Sequence, residues 1–219
     1  MNSIAKTIQL IRLELQLDLK KPSVFASAVL QLATLALLSM LSQPKINTSM
    51  WNSLFWISLI VTTINGVSKS FTMVSRSRWI YWNQLASPSS IYWSKVLYGW
   101  LTMILFAALN LAFFGWFLGI PVQHILPYIL ILLLVTAGVS TVYTFIGAVS
   151  SKADGAGYLA PVLSLPVILP LILVGISASK KALNPVLVSS IYKDALLLGG
   201  LNFMILVLTG ILFPFLWKD

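Results

Sequence analysis

Long apolar stretches alternate with short polar connections along the whole chain. A helix that crosses a bilayer needs about 20 mostly apolar residues. Six stretches meet this length, at about residues 23–42, 52–74, 95–118, 125–148, 158–177 and 195–216. The connections contain turn-forming residues, as in "QPKINTS", "GIPVQ", "SKADGAG" and "KALNP". The pattern predicts an all-α integral membrane protein with six transmembrane helices in a single transmembrane domain, residues 1–219.

The segment before the first span, residues 4–21, supports two predictions. Ile4, Ile8, Ile11 and Leu15 follow helical spacing, whereas the apolar residues from Ile11 to Leu19 alternate strictly with polar ones, which is typical of a strand. A strand edge without a partner is unfavourable beside lipid, so we favour an amphipathic helix in the membrane interface. A simple topogenic leader is the alternative.

The longest polar connection, "SRSRWIYWNQLASPSSIYWSK" at residues 75–95, is rich in aromatic and basic side chains. One interpretation is an aromatic belt with basic anchors at the membrane boundary. The other is a short exposed element that docks onto a partner. Ser87 or Ser89 is suited to cap the next helix, with Pro88 setting the turn. The candidate docking residues are Arg76, Arg78, Trp79, Tyr81, Trp82, Asn83, Gln84, Leu85 and Pro88.

The fifth span, "LAPVLSLPVILPLILVG", contains Pro161, Pro166 and Pro170. Proline removes a helical donor and clashes with the carbonyl four residues before it. Pro161 is expected in the first helical turn, where proline is tolerated. Pro166 and Pro170 share a face, so we expect a kinked or unwound helix whose freed carbonyls face protein or a cavity. Either packing or a hinge explains such a kink.

Composition supports the membrane assignment. The 219 residues are 58% hydrophobic and 9% charged, whereas soluble domains have about 25% charged residues. The net charge is +9 without a basic, aromatic-interleaved face, so nucleic acid is not an expected partner.

The distribution of basic residues between the connections favours termini on the cytoplasmic side of the membrane. The inner set would be Lys6, Arg12, Lys20, Lys21, Lys69, Arg76, Arg78, Lys95, Lys152 and Lys218, and the outer set Lys45, Lys180, Lys181 and Lys193.

The chain offers little chemistry of its own. Cysteine is absent, His124 is the single histidine, and the acidic residues fall at or outside the predicted span ends. The nearest approach to a phosphate-binding loop, "NGVSKS" at residues 65–70, lacks the glycine before Lys69. We therefore expect no catalytic, metal or directly bound cofactor site, and interpret the chain as part of a membrane machine powered by another subunit.

The order of these features resembles the haem exporter protein B family of cytochrome c maturation, the membrane subunits of an ABC-2 type transporter. The resemblance covers the whole chain. The resemblance rests on Arg12 and Glu14 in "RLEL", the "QLASP" element with the following Lys95, and the "LSLPVILPLIL" span. The chain departs from the family pattern at "FTMVSRSRW", residues 71–79, which contains no carboxylate.

The resemblance implies an ABC-2 type permease fold in a bacterial inner membrane, with both termini cytoplasmic. It implies a cytoplasmic ATPase subunit that binds Mg-ATP, two copies of this chain, and further haem-handling membrane proteins with a haem chaperone. Residues 75–93 would match the coupling helix that contacts the ATPase, and residues 4–21 the elbow helix. ATP hydrolysis would then drive release of the haem-loaded chaperone.

Two other functions remain open at this point. The first is a different ABC-2 permease that exports a lipid, a polysaccharide or a drug. The second is a membrane scaffold that transports nothing and has no ATPase partner.

Overall fold

A computed structural model describes residues 3–19, 22–42, 46–72, 87–150, 156–184 and 188–218, and this part of the chain is helical, without strands. The helices are α1 (Ser3–Leu19), α2 (Pro22–Ser42), α3 (Thr48–Thr72), α4 (Pro88–Leu118), α5 (Ile125–Ser150), α6 (Ala156–Ala182) and α7 (Val188–Lys218). The predicted all-α class is confirmed. The segment before the first span is a helix, which answers the helix-or-strand question left open by its periodicity.

Five of the described helices are long and apolar enough to cross a membrane, in α2, α4, α5, α6 and α7. Helix α3 has 25 residues, which span roughly 38 Å and are long enough to cross a bilayer core. Its polar side chains Asn52, Ser58, Thr62 and Thr63 are all buried against other helices. The prediction of α3 as a helix is confirmed, while its crossing of the membrane as a sixth span stays a prediction.

Helix α4 begins earlier than the predicted third span, at Pro88 instead of residue 95. The Ser87 side chain accepts a hydrogen bond from the Ser90 N–H, and Pro88 occupies the first turn, where its missing donor is not needed. Tyr92, Trp93 and Lys95 therefore belong to a helix and not to the preceding connection. Helix α7 likewise begins at Val188, before the predicted residue 195.

Helix α5 occupies the centre of the bundle. It packs most extensively against α6 and α7, then against α4, while α3 sits between α2, α4 and α6. Helix α1 lies against α4 and, to a smaller extent, α2. Close approach to α5 depends on glycine, since a Cβ at Gly138 would lie within 3 Å of both Asn202 and Leu171.

Side-chain donors connect neighbouring helices through backbone carbonyls. Asn52 donates to the Ile176 carbonyl at 3.1 Å, joining α3 to α6. Asn110 and Asn202 donate to other carbonyls, joining α4 to α3 at Phe55 and α7 to α5 at Leu134. The Ser140 hydroxyl donates to the Val96 carbonyl at 2.9 Å. Such bonds hold helices together where the hydrocarbon offers neither donor nor acceptor.

The proline-rich helix differs from the prediction. Helix α6 is continuous from Ala156 to Ala182, so the prolines do not unwind it. Pro166 and Pro170 are exposed on the outside of the bundle instead of facing protein or a cavity of this chain. Because α6 begins at Ala156, Pro161 lies in the second helical turn and not the first. The nearby Ser164 hydroxyl faces inward, where it is buried and bonds the Tyr143 side chain.

Replacing Gly138 with alanine is expected to destabilise the bundle by about 1–3 kcal/mol, as overpacking of a filled interior does. The new Cβ would press on Asn202, which its bond to the Leu134 carbonyl holds in place, and on the buried Leu171. Thermal unfolding of the purified protein in detergent measures the loss. The matched control is Gly199→Ala on α7, where a Cβ meets no atom within 4 Å. Equal unfolding temperatures for the two variants would contradict this packing.

Candidate functional site

The candidate site is the end of the bundle where α4 begins, which we call the α1–α4 corner. It is built from α1, the first turns of α4 and the last turns of α5 and α7. Its apolar part consists of buried Ile91, Tyr92, Val96, Ala148 and Phe213, with Leu10 packed against them. The corner directly follows the candidate docking residues along the chain, so it is the described region nearest to them.

A buried ion pair joins α1 to α4 in this corner. The Lys95 Nζ lies 2.6 Å from the Glu14 Oε1, and the two side chains are only 9% and 11% exposed. Neither charge could be buried alone without a large desolvation cost, so each stabilises the other in place. Arg12, two residues before Glu14, is exposed. Of the two predicted elbow residues, Glu14 therefore contacts the bundle and Arg12 faces outward.

Tyr92 connects the same turns of α4 to α7. Its hydroxyl lies 2.6 Å from the Thr209 hydroxyl, and its ring centre lies 5.1 Å from that of Phe213. One turn further along α4, the Val96 carbonyl accepts the bond from Ser140 of α5. Three helices thus hold the first three turns of α4 through an ion pair, a hydroxyl pair and a backbone contact.

Most of the predicted docking residues cannot be placed. Arg76, Arg78, Trp79, Tyr81, Trp82, Asn83, Gln84 and Leu85 lie outside the described residues. Pro88 is described, and it is the first residue of α4 and not part of a loop. The exposed neighbour of Tyr92 in this helix is Trp93, which is 41% exposed. Docking by this segment therefore stays a prediction.

Sequence reasoning missed the contacts that join the helices of the corner. Lys95 was interpreted as a basic anchor at the membrane boundary, and Tyr92 as part of an exposed aromatic segment. The available signal was the spacing of Ile91, Tyr92, Lys95 and Val96, which lie on one face of a helix once Ser87 begins it. The partners Glu14, Thr209 and Phe213 come from distant parts of the sequence, and no local pattern pairs them.

The opposite end of the bundle contains a second ion pair. Lys181 near the end of α6 lies 2.7 Å from Asp194 in the second turn of α7. The His124 backbone N–H donates to the Ala182 carbonyl at 3.0 Å, which joins the start of α5 to the end of α6.

Among the residues that the structure covers, no cluster of three or more histidine and acidic side chains could hold a metal ion.

The comparison with protein families identifies the chain. The family model described as "CcmB protein" matches residues 5–215, from α1 to the last turns of α7. The chain belongs to the CcmB family. This is the haem exporter protein B family whose resemblance the sequence motifs indicated, and that prediction is confirmed. No curated protein and no solved structure gives a significant match to the chain.

Membership of the CcmB family establishes the coarse function. The chain is a permease subunit of a haem exporter for cytochrome c biogenesis, and it works within an ABC complex that has an ATPase partner. It is a multi-pass protein of the inner membrane, in agreement with its long apolar helices. The subunit is not itself the catalytic enzyme of the complex.

Breaking the ion pair on one side should destabilise the protein by roughly 3–5 kcal/mol, because the remaining charge stays buried without its partner. Glu14→Gln and Lys95→Met each remove one charge, whereas the double variant removes both and should recover part of the loss. Thermal unfolding in detergent, arranged as a double-mutant cycle, measures the coupling. Arg12→Gln, an exposed position on the same helix, is the control. Strictly additive single losses would show that the two residues do not interact.

Proposed function

We propose that this subunit couples ATP hydrolysis by its cytoplasmic partner to haem delivery for cytochrome c, by driving release of a haem-loaded chaperone. The observation that supports this proposal best is the α1–α4 corner. It connects the segment proposed to touch the ATPase with three other helices, through Lys95, Tyr92 and the Val96 carbonyl. A displacement at the start of α4 would therefore move α1 and α7 with it.

The covalent arrangement supports this coupling. The proposed docking segment, residues 75–93, begins shortly after the end of α3 at Thr72 and includes the start of α4 at Pro88. ATP binding would close the partner dimer and shift this segment, which would displace both helices at once. Helix α3 contacts α6, and α4 contacts α1, α5 and α7. The movement would thus reach every described helix within one further contact.

Helix α6 is the proposed site of accommodation. Pro166 and Pro170 remove two backbone donors from the middle of the helix, which lowers the resistance of that segment to bending. Both prolines lie on the exposed side of α6. A conformational cycle of this kind needs two packings of similar energy.

The remaining assignments follow from the same proposal. Mg-ATP binds to the partner, haem is handled by the complex as cargo, and this chain holds no cofactor of its own. The subunit is proposed to act as two copies, with both termini in the cytoplasm and α1 in the membrane interface. The partners are the ATPase, a haem-handling membrane protein and the haem chaperone.

Docking is tested with the double variant Trp82→Ala and Leu85→Ala. Removing both apolar side chains should reduce co-purification of the ATPase subunit and lower the ATPase activity of the complex, because buried aromatic and aliphatic anchors dominate interface energetics. The matched control is Trp116→Ala, which removes an 87% exposed indole near the far end of α4. Docking through residues 75–93 is refuted if the double variant retains both binding and activity.

The function is tested in the cell that produces the protein. Deleting the gene should abolish holo-cytochrome c while apo-cytochrome c still accumulates, and the wild-type gene should restore it. Haem staining of membrane and periplasmic fractions measures the holo form, and immunoblotting measures the apo form. Normal holo-cytochrome c in the deletion strain would indicate instead that the subunit exports another substrate, such as a lipid, a polysaccharide or a drug.

A further inference from the structure

A small cavity lies in the middle of the bundle, between α3, α4, α5 and α6. It provides about 20 Å³ of space and is partly open. Its lining includes Ile60, Met103, Thr136 and Ile172, each near the midpoint of its own helix or span. The midpoints of membrane-spanning helices lie near the centre of the bilayer, so the cavity is at the depth of the ends of the lipid acyl chains.

The walls offer a water molecule little to bind. The lining is almost wholly apolar, and its hydroxyl groups already have partners within the protein. Thr63 donates to the Leu59 carbonyl at 2.7 Å, and Thr136 donates to the Leu133 carbonyl at 3.0 Å. The Tyr143 hydroxyl bonds to the Ser164 side chain. A buried water needs two to four polar partners, so an apolar occupant is favoured over water here.

The lining of the cavity is least buried on the side formed by α3 and α6. Most of its lining is buried, including Trp56, Val139 and Ile168. The exception is Leu165, which is 43% exposed and lies on the outer side of α6, with the partly exposed Ile60 opposite it on α3. What meets this mouth in a membrane is therefore an acyl chain.

We propose that this cavity binds the end of a phospholipid acyl chain that enters between Ile60 and Leu165. The opening and the depth select a long, thin, apolar occupant. A volume of about 20 Å³ is too small for a tetrapyrrole, so the site is not a haem pocket. An inserted chain end supplies the dispersion contacts that the cavity walls lack when empty. Lipid would then fill the contact between α6 and α3, one of the two helices that the proposed docking movement displaces.

The test uses Trp56, which lines the cavity and is 1% exposed. The full-length protein is reconstituted into phosphatidylcholine vesicles whose acyl chains carry bromine, a contact quencher of indole fluorescence, at shallow or deep positions. The Trp56 contribution is obtained by subtracting the emission of the Trp56→Phe variant. We expect loss of Trp56 emission in brominated vesicles, strongest for bromine near the chain end.

Two substitutions on one face of α6 distinguish the cavity from the general lipid surface. Leu165→Phe narrows the mouth and should abolish the quenching of Trp56. Leu169→Phe, one turn further along at a residue 50% exposed, leaves the mouth unchanged and should preserve it. Leu165→Ala, which widens the mouth, should increase quenching and provides an answer should the larger side chain prevent folding.

Three results would overturn the proposal. The first is Trp56 emission that no brominated lipid quenches. The second is equal quenching in the wild type, Leu165→Phe and Leu165→Ala, or equal loss in Leu165→Phe and Leu169→Phe. The third is stronger quenching by shallow than by deep bromine. None of these measurements depends on the ATPase or on cytochrome c, so their outcome is independent of the proposed function.

Discussion

The surrounding hydrocarbon offers no hydrogen-bond partner, so polar groups inside this bundle depend on partners within the protein. Among the described residues, the side-chain oxygens of Asn52, Thr62, Tyr128 and Asn202 are buried without one. This constraint explains why the described helices are joined by side-chain donors on one helix and backbone carbonyls on the next. Asn52, Asn110 and Asn202 each make such a bond, and together they connect five of the helices. Each contributes modestly, about 0.6 kcal/mol on average in membrane proteins, but each is directional and so selects one packing.

The same constraint has its strongest effect at the α1–α4 corner. A lysine and a glutamate that are each about nine-tenths buried have to be paired, so α1 is held against α4 and cannot simply lie free in the interface. Tyr92 and its bond to Thr209 extend the connection to α7. The corner is therefore an end of the bundle where polar contacts join several helices, whereas the middle contains a cavity and an exposed proline face on α6.

Much of the fold could be predicted from local patterns. Apolar length predicted the helices, the "SPSS" sequence predicted a cap at Ser87 or Ser89, and the turn formers predicted the connections. Two predictions, the start of α4 and the orientation of the α6 prolines, were wrong because they relied on local sequence patterns. Helix α4 was started too late because the apolar run begins after its first polar turns, although the Ser87 cap had already begun the helix. The prolines of α6 were expected to face protein, but side-chain periodicity there is weak because nearly every residue is apolar.

By itself, the sequence determined the class of the protein, its helices and its family, because chain length, apolar content and a few motifs act locally or along the whole chain. Only the tertiary structure decided which charges pair and which faces are covered. Glu14 and Lys95 are 81 residues apart in sequence, and their contact depends on how α1 lies on α4. The cavity likewise belongs to no segment, since four helices enclose it. Contacts between distant residues depend on packing, which local patterns do not specify.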